Sequence, residues 1–450
     1  MTRLPETVHS EETIERLKSI ATQILSEAKR QGASAAEAAI STSSGLSVTV
    51  RMGDVETVEH TRDKGLGLTV YFGKRKGSAS TTDFGEEAVS DTVRAACAIA
   101  RHTSEDDCAG LAEAELLAKT YPDLDLLHPW LLTPEEAIEI ALDTENAARG
   151  HDPRISNSEG ADVSHHEGSY VYANSNGFLG GFATSRHGLS CAVIAKDDGG
   201  MQRDYWYSVA RDATELEAPP RVGEKAAERA VRRLGSRKIS TRSAPVIYSA
   251  ETARGLVHHF VNAIRGSSLY REASFLLDHL GKKVFPDGFN IREEPHLLRA
   301  LGSAPFDNEG VATRARDLVR DGVLQGYVLD SYSARKLGMQ TTANAGGVHN
   351  LVVETDDVGF DALLEEMDTG LVITELMGMG INSVTGDYSR GACGFWVEGG
   401  EIRFPVEEIT VAGNLRDMYA GIRRVANDVD MRGTIRTGSM LIDQMTIAGD

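Results

Sequence analysis

The stretch from Ile155 to Asp212 leaves this chain the least conformational freedom. Short β-type runs such as SYVYAN, GLSCAVIAK and DYWYSVA are broken repeatedly by Gly, Asn and Asp. Those breakers supply tight turns between neighbouring strands, so the segment reads as a meander of antiparallel strands.

The flanking sequence is mixed. From Glu11 to Gln31, apolar residues recur at Ile14, Leu17, Ile20, Ala21, Ile24, Leu25 and Ala28, the spacing of an amphipathic helix that Gly32 can end. Leu46, Val48, Val50 and Met52 then alternate with polar residues before Gly53-Asp54, which predicts a hairpin. A second hairpin is expected from GLGLTVYF, a turn over 73–77 and SASTTDF. Glu86 to His102 returns to helical spacing. Thr133-Pro134-Glu135-Glu136 is a capping box that opens a helix to about Arg149. A further helix is expected from Val222 to Leu234 after Pro219-Pro220, and the charged SRKISTRSAP segment marks the main boundary.

Beyond it come a short strand, PVIYS, and a helix from about Glu251 to Arg265. Gly-rich turns then separate β-type segments including GVLQGYVLD, HNLVVET, GLVITEL, GACGFWVEG, GEIRFPVEEITVAG and GSMLIDQMTIAG. They predict a large, strongly bent antiparallel or barrel-like unit. The expected class is α+β, with an N-terminal helix and hairpin region at 1–125. A central helix and meander at 126–240 is expected to pack with it as one domain, and a β-rich C-terminal domain follows at 241–450.

At 450 residues and 41% hydrophobic content, the chain exceeds what one growing core accommodates. No run approaches the ~20 apolar residues of a membrane span, and the N-terminus carries no apolar signal region, so a cytoplasmic protein is expected. Cys97, Cys108, Cys191 and Cys393 are scattered, as suits free thiols in a reducing compartment. The 47 basic and 67 acidic residues give a formal charge of −20, which argues against nucleic acid as a partner. Lys74-Arg75-Lys76 reads as a hairpin tip, and Arg229, Arg232 and Arg233 as a solvated helix face.

Several linked motifs then occur in a telling order: LGSAPFDNEG, DGVLQGYVLDSYSARKLG, NAGGVHN and VTGDYSRGACGFWVEGGEI. With GLGLTVYFGKRKGSAST, NSEGA, ANSNGF and MQRDYWYS, they make nearly the whole chain resemble the PmbA (TldE) branch of the TldD/PmbA metalloprotease family. That resemblance implies a cytosolic peptidase assembly in which a TldD-type subunit holds zinc and a PmbA-type subunit pairs with it around a cavity. It implies unfolded peptides and peptide precursors as substrates, a heterodimer with the TldD-type chain, and a homodimer when alone. An older family label is modulator of DNA gyrase.

The resemblance also places a decisive contrast on the helix after PVIYS. TldD-type chains carry HExxxH there, two His ligating metal while the Glu handles the proton of the attacking water. Here the matching residues are His258, His259, Phe260, Val261, Asn262 and Ala263. His259 stands at the Glu position, and Ala263 has no donor atom. The Cys ligand that TldD-type chains supply near the C-terminus has no counterpart in NDVDMRGTIRTGSMLIDQMTIAGD. The comparison therefore implies a degenerate site at His258, His259 and Ala263 and no cofactor in this chain. By helical spacing, His258 shares a polar stripe with Arg254, Asn262 and Arg265, opposite Leu256, Val257, Phe260 and Ile264.

Other residues carry weaker signals. Asp387, Tyr388, Ser389 and Arg390 in TGDYSRG are candidates for binding peptide, or simply order their loop. Ser333 and Lys336 fit the SxxK pattern of a serine hydrolase, with Arg436-Thr437-Gly438 loosely imitating KTG. Asp307 and Glu309 could serve acid/base work, although Asp-Asn-Glu-Gly is ordinary turn chemistry. Gly346-Gly347 suggests a tight turn, His349 a structural histidine, and Cys393 a buried thiol. Three functions follow: a PmbA-type subunit without its own metal, an autonomous serine hydrolase using Ser333 and Lys336, or a gyrase-associated regulator.

Overall fold

The computed structural model describes residues 11–449. Helix α1 (Glu11–Arg30) forms as its spacing predicts, with Leu17, Ala21, Ile24 and Ala28 all buried. Strands β1 (Ala35–Arg51) and β2 (Asp54–Phe72) make a long hairpin turned at Met52 and Gly53, both at positive φ. The two hairpins expected here share β2 as one continuous strand. Gly65 and Gly67 lie extended opposite Ser41 and Ala39 and do not turn the chain.

β2 pairs with β3 (Arg75–Thr81) only from Leu66 onward. Among the described residues its outer edge is open before that, where charged side chains and a register shift near Thr49 and Val50 discourage further pairing. Helices α2 (Glu86–His102) and α3 (Pro134–His151) follow, the second opened by the capping box between Thr133 and Glu136. The meander is β4 (Ile155–Asn174), β5 (Leu179–Asp197) and β6 (Gly200–Ala210), closed by α4 (Pro219–Arg232).

One six-stranded antiparallel sheet, ordered β3-β2-β1-β4-β5-β6, takes strands from both the first and the central region. Strand alternation sorts its two faces. Ala36, Ala38 and Ile40 lie in the core with α1 and α2, while Leu46, Val48 and Val50 on the same face of β1 lie under α3 and α4. The opposite face presents Tyr170, Tyr172 and Phe182 to Phe306, Val311 and Ala343 of the C-terminal half.

That half runs β7 (Arg242–Tyr248), α5 (Ala250–Ala263), α6 (Gly266–Leu269), β8 (Ile291–Glu293), β9 (Arg316–Arg320), β10 (Val323–Leu324), α7 (Ser331–Lys336) and β11 (Leu351–Val353). It continues through α8 (Phe360–Met367), β12 (Gly370–Met377), β13 (Asp387–Glu398), β14 (Glu401–Asn414), α9 (Leu415–Ala420), β15 (Ile422–Val425), β16 (Ile435–Arg436) and β17 (Met440–Ala448). A small sheet is ordered β10-β9-β8-β11-β16, and a larger one β14-β13-β12-β7-β17-β15. Strand β14 also pairs with β17, from Thr410 opposite Ala448 to Ala412 opposite Thr446, which closes the larger sheet into a five-stranded barrel.

The chain is thus α+β with a barrel-like C-terminal unit. It is not wholly antiparallel: β7 runs parallel to β12 and β11 to β16, pairings that long connections make possible. GVLQGYVLD and HNLVVET contribute only two and three strand residues, and much of each is irregular backbone. No helix among the described residues is long and apolar enough to cross a membrane.

Candidate functional site on α5 and β13

Helix α5 leaves the end of β7 and buries Leu256, Val257 and Phe260, with Ile264 just beyond it, as the spacing predicts. On the other side His259 is half-buried and His258 is the more exposed of the two, its ring still partly shielded from water. Ala263 is buried and offers only a methyl group. Arg254, one member of the polar stripe, lies 3.4 Å from Asp430 and donates to the Tyr207 hydroxyl at 3.3 Å. The two imidazoles sit edge to face with centroids 6.1 Å apart.

Both rings favour the neutral form. Burial and the nearby Arg265 guanidinium hold His258 below its ordinary pKa. His259 is pushed down to about 4, first by burial and then by His258 and Arg390.

Arg390 belongs to TGDYSRG, so the structure brings together two features that the sequence keeps far apart. The His259 ring lies 6.1 Å from that of Tyr388, which is buried on β13. Burial raises the Tyr388 phenol, opposed by neighbouring Tyr248 and Arg390. Arg390 Nη2 donates to the Leu376 carbonyl at 3.3 Å. His259 Nε2, the Tyr388 hydroxyl and Arg390 Nε are buried polar atoms without a hydrogen bond of acceptable geometry.

The four TGDYSRG candidates do not act as one group, because strand alternation divides them. Tyr388 and Arg390 point inward, whereas Asp387 and Ser389 are exposed. Asp387 accepts from Thr385 Oγ1 at 2.6 Å and Asn414 Nδ2 at 3.2 Å, bonds that order its own loop and hold its carboxyl below the usual range.

The SxxK pair is pulled apart. Ser333 Oγ donates to the Asp330 carbonyl at 3.3 Å within α7. Lys336 Nζ instead reaches Asp106 Oδ1 at 3.1 Å, and Tyr332 donates to the same carboxylate at 2.7 Å. These contacts push the Lys336 ammonium up to about 12, so it cannot take a serine proton near neutrality. Thr437 bonds only to backbone, at Gly438 O.

Asp307 is buried and accepts from the amides of Glu309, Val311 and Ala345 at 2.9–3.0 Å, which is turn chemistry. Glu309 accepts from the Ser331 amide and hydroxyl, and burial with Asp307 beside it lifts its carboxyl to about 7. His349 donates its amide to Glu293, Gly346 and Gly347 take positive φ, and burial raises the Cys393 thiol.

Two clusters escaped the sequence reading. Glu37, on the sheet face opposite the helices, accepts from Tyr71 at 2.9 Å and Tyr172 at 2.6 Å, and both phenols also feel Glu309. The one acid in the AAEAAIS strand was the available signal. The second cluster corrects the solvated-face expectation for α4. Arg229 pairs with Asp204 and Glu251, and Arg233 with Glu375, because this helix faces the C-terminal half. Arg229 and Glu251, with Arg432 stacked on Trp206, border a cleft of about 370 Å³. Among the described residues, no three or more His, Cys, Asp or Glu side chains group closely enough to hold a metal ion.

A half-open sheet docked on a five-stranded barrel, with a histidine-bearing helix beside the barrel wall, is the setting in which the comparisons fall. Family models described as PmbA/TldA metallopeptidase domain 1, central domain and C-terminal domain match residues 36–100, 127–234 and 241–449. The chain belongs to this metallopeptidase family. Within it, the chain falls in the PmbA (TldE) branch: it is 52% identical to metalloprotease PmbA of Escherichia coli O157:H7 over 92% of each chain. A Bacteroides thetaiotaomicron structure described as a modulator of DNA gyrase superposes with TM-score 0.92 at 30% identity, covering 98% of this chain and all of that one. TldE from Thermococcus kodakarensis shares the fold, with TM-score 0.83 at 19% identity over 96% of this chain and all of that one.

Proposed function

We propose that this chain is the TldE-type subunit of a cytoplasmic TldD/TldE metalloprotease, and that the TldD-type partner holds the zinc. The carrying observation is the donor set on α5. His258 and His259 face two guanidiniums, Arg265 and Arg390, and Ala263 occupies the second ligand position without a donor. These residues do not fit a divalent cation, which needs three protein ligands and is opposed by neighbouring positive charge. In this reading the chain acts through binding and positioning: it encloses the chamber, and Tyr388, Arg390 and His259 contribute to a wall against which an unfolded peptide lies.

The test is reconstitution. The purified chain, a TldD-type chain from the same organism and their mixture are assayed on an unfolded peptide. The expected result is cleavage by the mixture well above that of either chain alone. Equal activity of the TldD-type chain by itself would remove the subunit role.

A further inference from the structure

The β13 and α5 cluster has an electrostatic property that its neighbourhood does not offset. The groups that shift His258, His259, Tyr388, Tyr248 and Tyr419 are one another, Arg265 and Arg390, with no carboxylate among them. Asp387, the nearest acid in sequence, is turned to the other face and bonded to Thr385 and Asn414. Two guanidiniums are thus the charged groups that these rings feel, in a chain of net charge −20.

The polar atoms there share a chemical need. Arg390 Nε can only donate, a phenol hydroxyl carries one proton to donate, and a neutral imidazole donates from one of its two nitrogens. All three atoms are buried without a hydrogen bond of acceptable geometry, the Tyr388 hydroxyl lying against Tyr248 and Arg390. Tyr388 is 2% exposed, while His259 and Arg390 are half-buried. Three donor-capable groups beside positive charge suit an acceptor-only anion of planar shape.

The geometry points to a carboxylate-binding site formed by His259, Tyr388 and Arg390, whose ligand is the C-terminal carboxylate of an unfolded peptide. This rests on the peptide-handling reading above and sharpens it. The position that would be the catalytic Glu in a metal-bearing chain here carries an imidazole, and the site grips a peptide end instead of cutting a peptide bond. A charge-assisted, forked contact from Arg390 would set the end, with Tyr388 beside it.

Binding to the purified chain alone tests this apart from proteolysis. Two fluorescent peptides without Asp or Glu are compared, one ending in a free carboxylate and its twin in an amide. The carboxylate form is expected to bind about tenfold tighter, the value of one charge-assisted contact. Arg390→Gln and Tyr388→Phe, each checked for unchanged thermal unfolding, are expected to erase that preference. Equal affinity for the two peptides overturns the proposal, as does a preference that survives both substitutions. Equal affinity together with cleavage by the reconstituted pair sinks this site while the subunit reading stands. A carboxylate preference without cleavage does the reverse.

Discussion

Single side chains in TGDYSRG are separated by strand alternation, and that separation makes a kinetic distinction. Arg390→Ala removes an inward guanidinium and should reduce peptide turnover by the reconstituted pair by about tenfold, the value of one charged contact. Asp387→Ala should leave turnover within about twofold, since surface substitutions remote from a site cost little. Steady-state kinetics on the two variants checks both, and equal losses would return the whole segment to a loop-ordering role. His259 adds a spectroscopic reading. Its folded pKa of about 4 lies below the ordinary value of 6.5, so the unfolded state binds more protons between those limits. Stability should fall as pH drops from about 6.5 toward 4, and proton NMR should show the His259 imidazole still neutral at pH 5.5. His258, His259 and Ala263 lie on α5, and that they share one helix was legible in the sequence. The meeting of His259 with Arg390 was not, because no local spacing relates a helix to a strand more than a hundred positions away.

At the scale of elements, spacing and one capping box identified α1 to α5, while the short α6 to α9, of four to eight residues, were missed because so few turns show no repeating stripe. Both expected hairpins form, and what local spacing did not show is that they share strand β2 without a break, Gly65 and Gly67 lying extended beside β1. Helix α7 shows how much a short element can do. Its Arg335 donates to the carbonyls of Cys108 and Gly110 at 3.1 and 3.0 Å, to that of Leu111, and to Glu113 at 3.0 Å. The residues 108–113 lack regular structure apart from this latch. Arg335→Ala should destabilise the fold by about 2–3 kcal/mol and open that segment to limited proteolysis. Arg335→Lys should not rescue it, since a single ammonium cannot span the carbonyls that a planar fork reaches. Unchanged proteolysis would show that the segment is held by its apolar contacts instead.

At the scale of the whole molecule, the six-stranded sheet and the segments around Phe306 and Ser331 meet over a buried acidic centre. Glu309 has a folded pKa of about 7 against an ordinary 4.5, so the folded state binds the extra proton. That contribution is fully present below about pH 4.5 and is lost as pH rises through 7. Glu309→Gln should therefore gain thermal stability relative to the native chain as pH increases across that window and hold a constant difference above it. A difference that does not change with pH would mean that Glu309 is ionised throughout. The barrel-like character of the C-terminal unit could be expected from its Gly-punctuated strands, but its closure through β14 and β17 depends on a pairing that no segment announces by itself.

Metal analysis tests the central claim most directly. The purified chain and a TldD-type chain from the same organism are each dialysed against excess zinc and then metal-free buffer, and bound zinc is measured by mass spectrometry alongside cleavage of an unfolded peptide. The account predicts zinc near one equivalent only in the TldD-type chain, none retained by this one, and chelator-sensitive cleavage that needs both. About one zinc per molecule of this chain, with chelator-sensitive cleavage by it alone, would contradict the account.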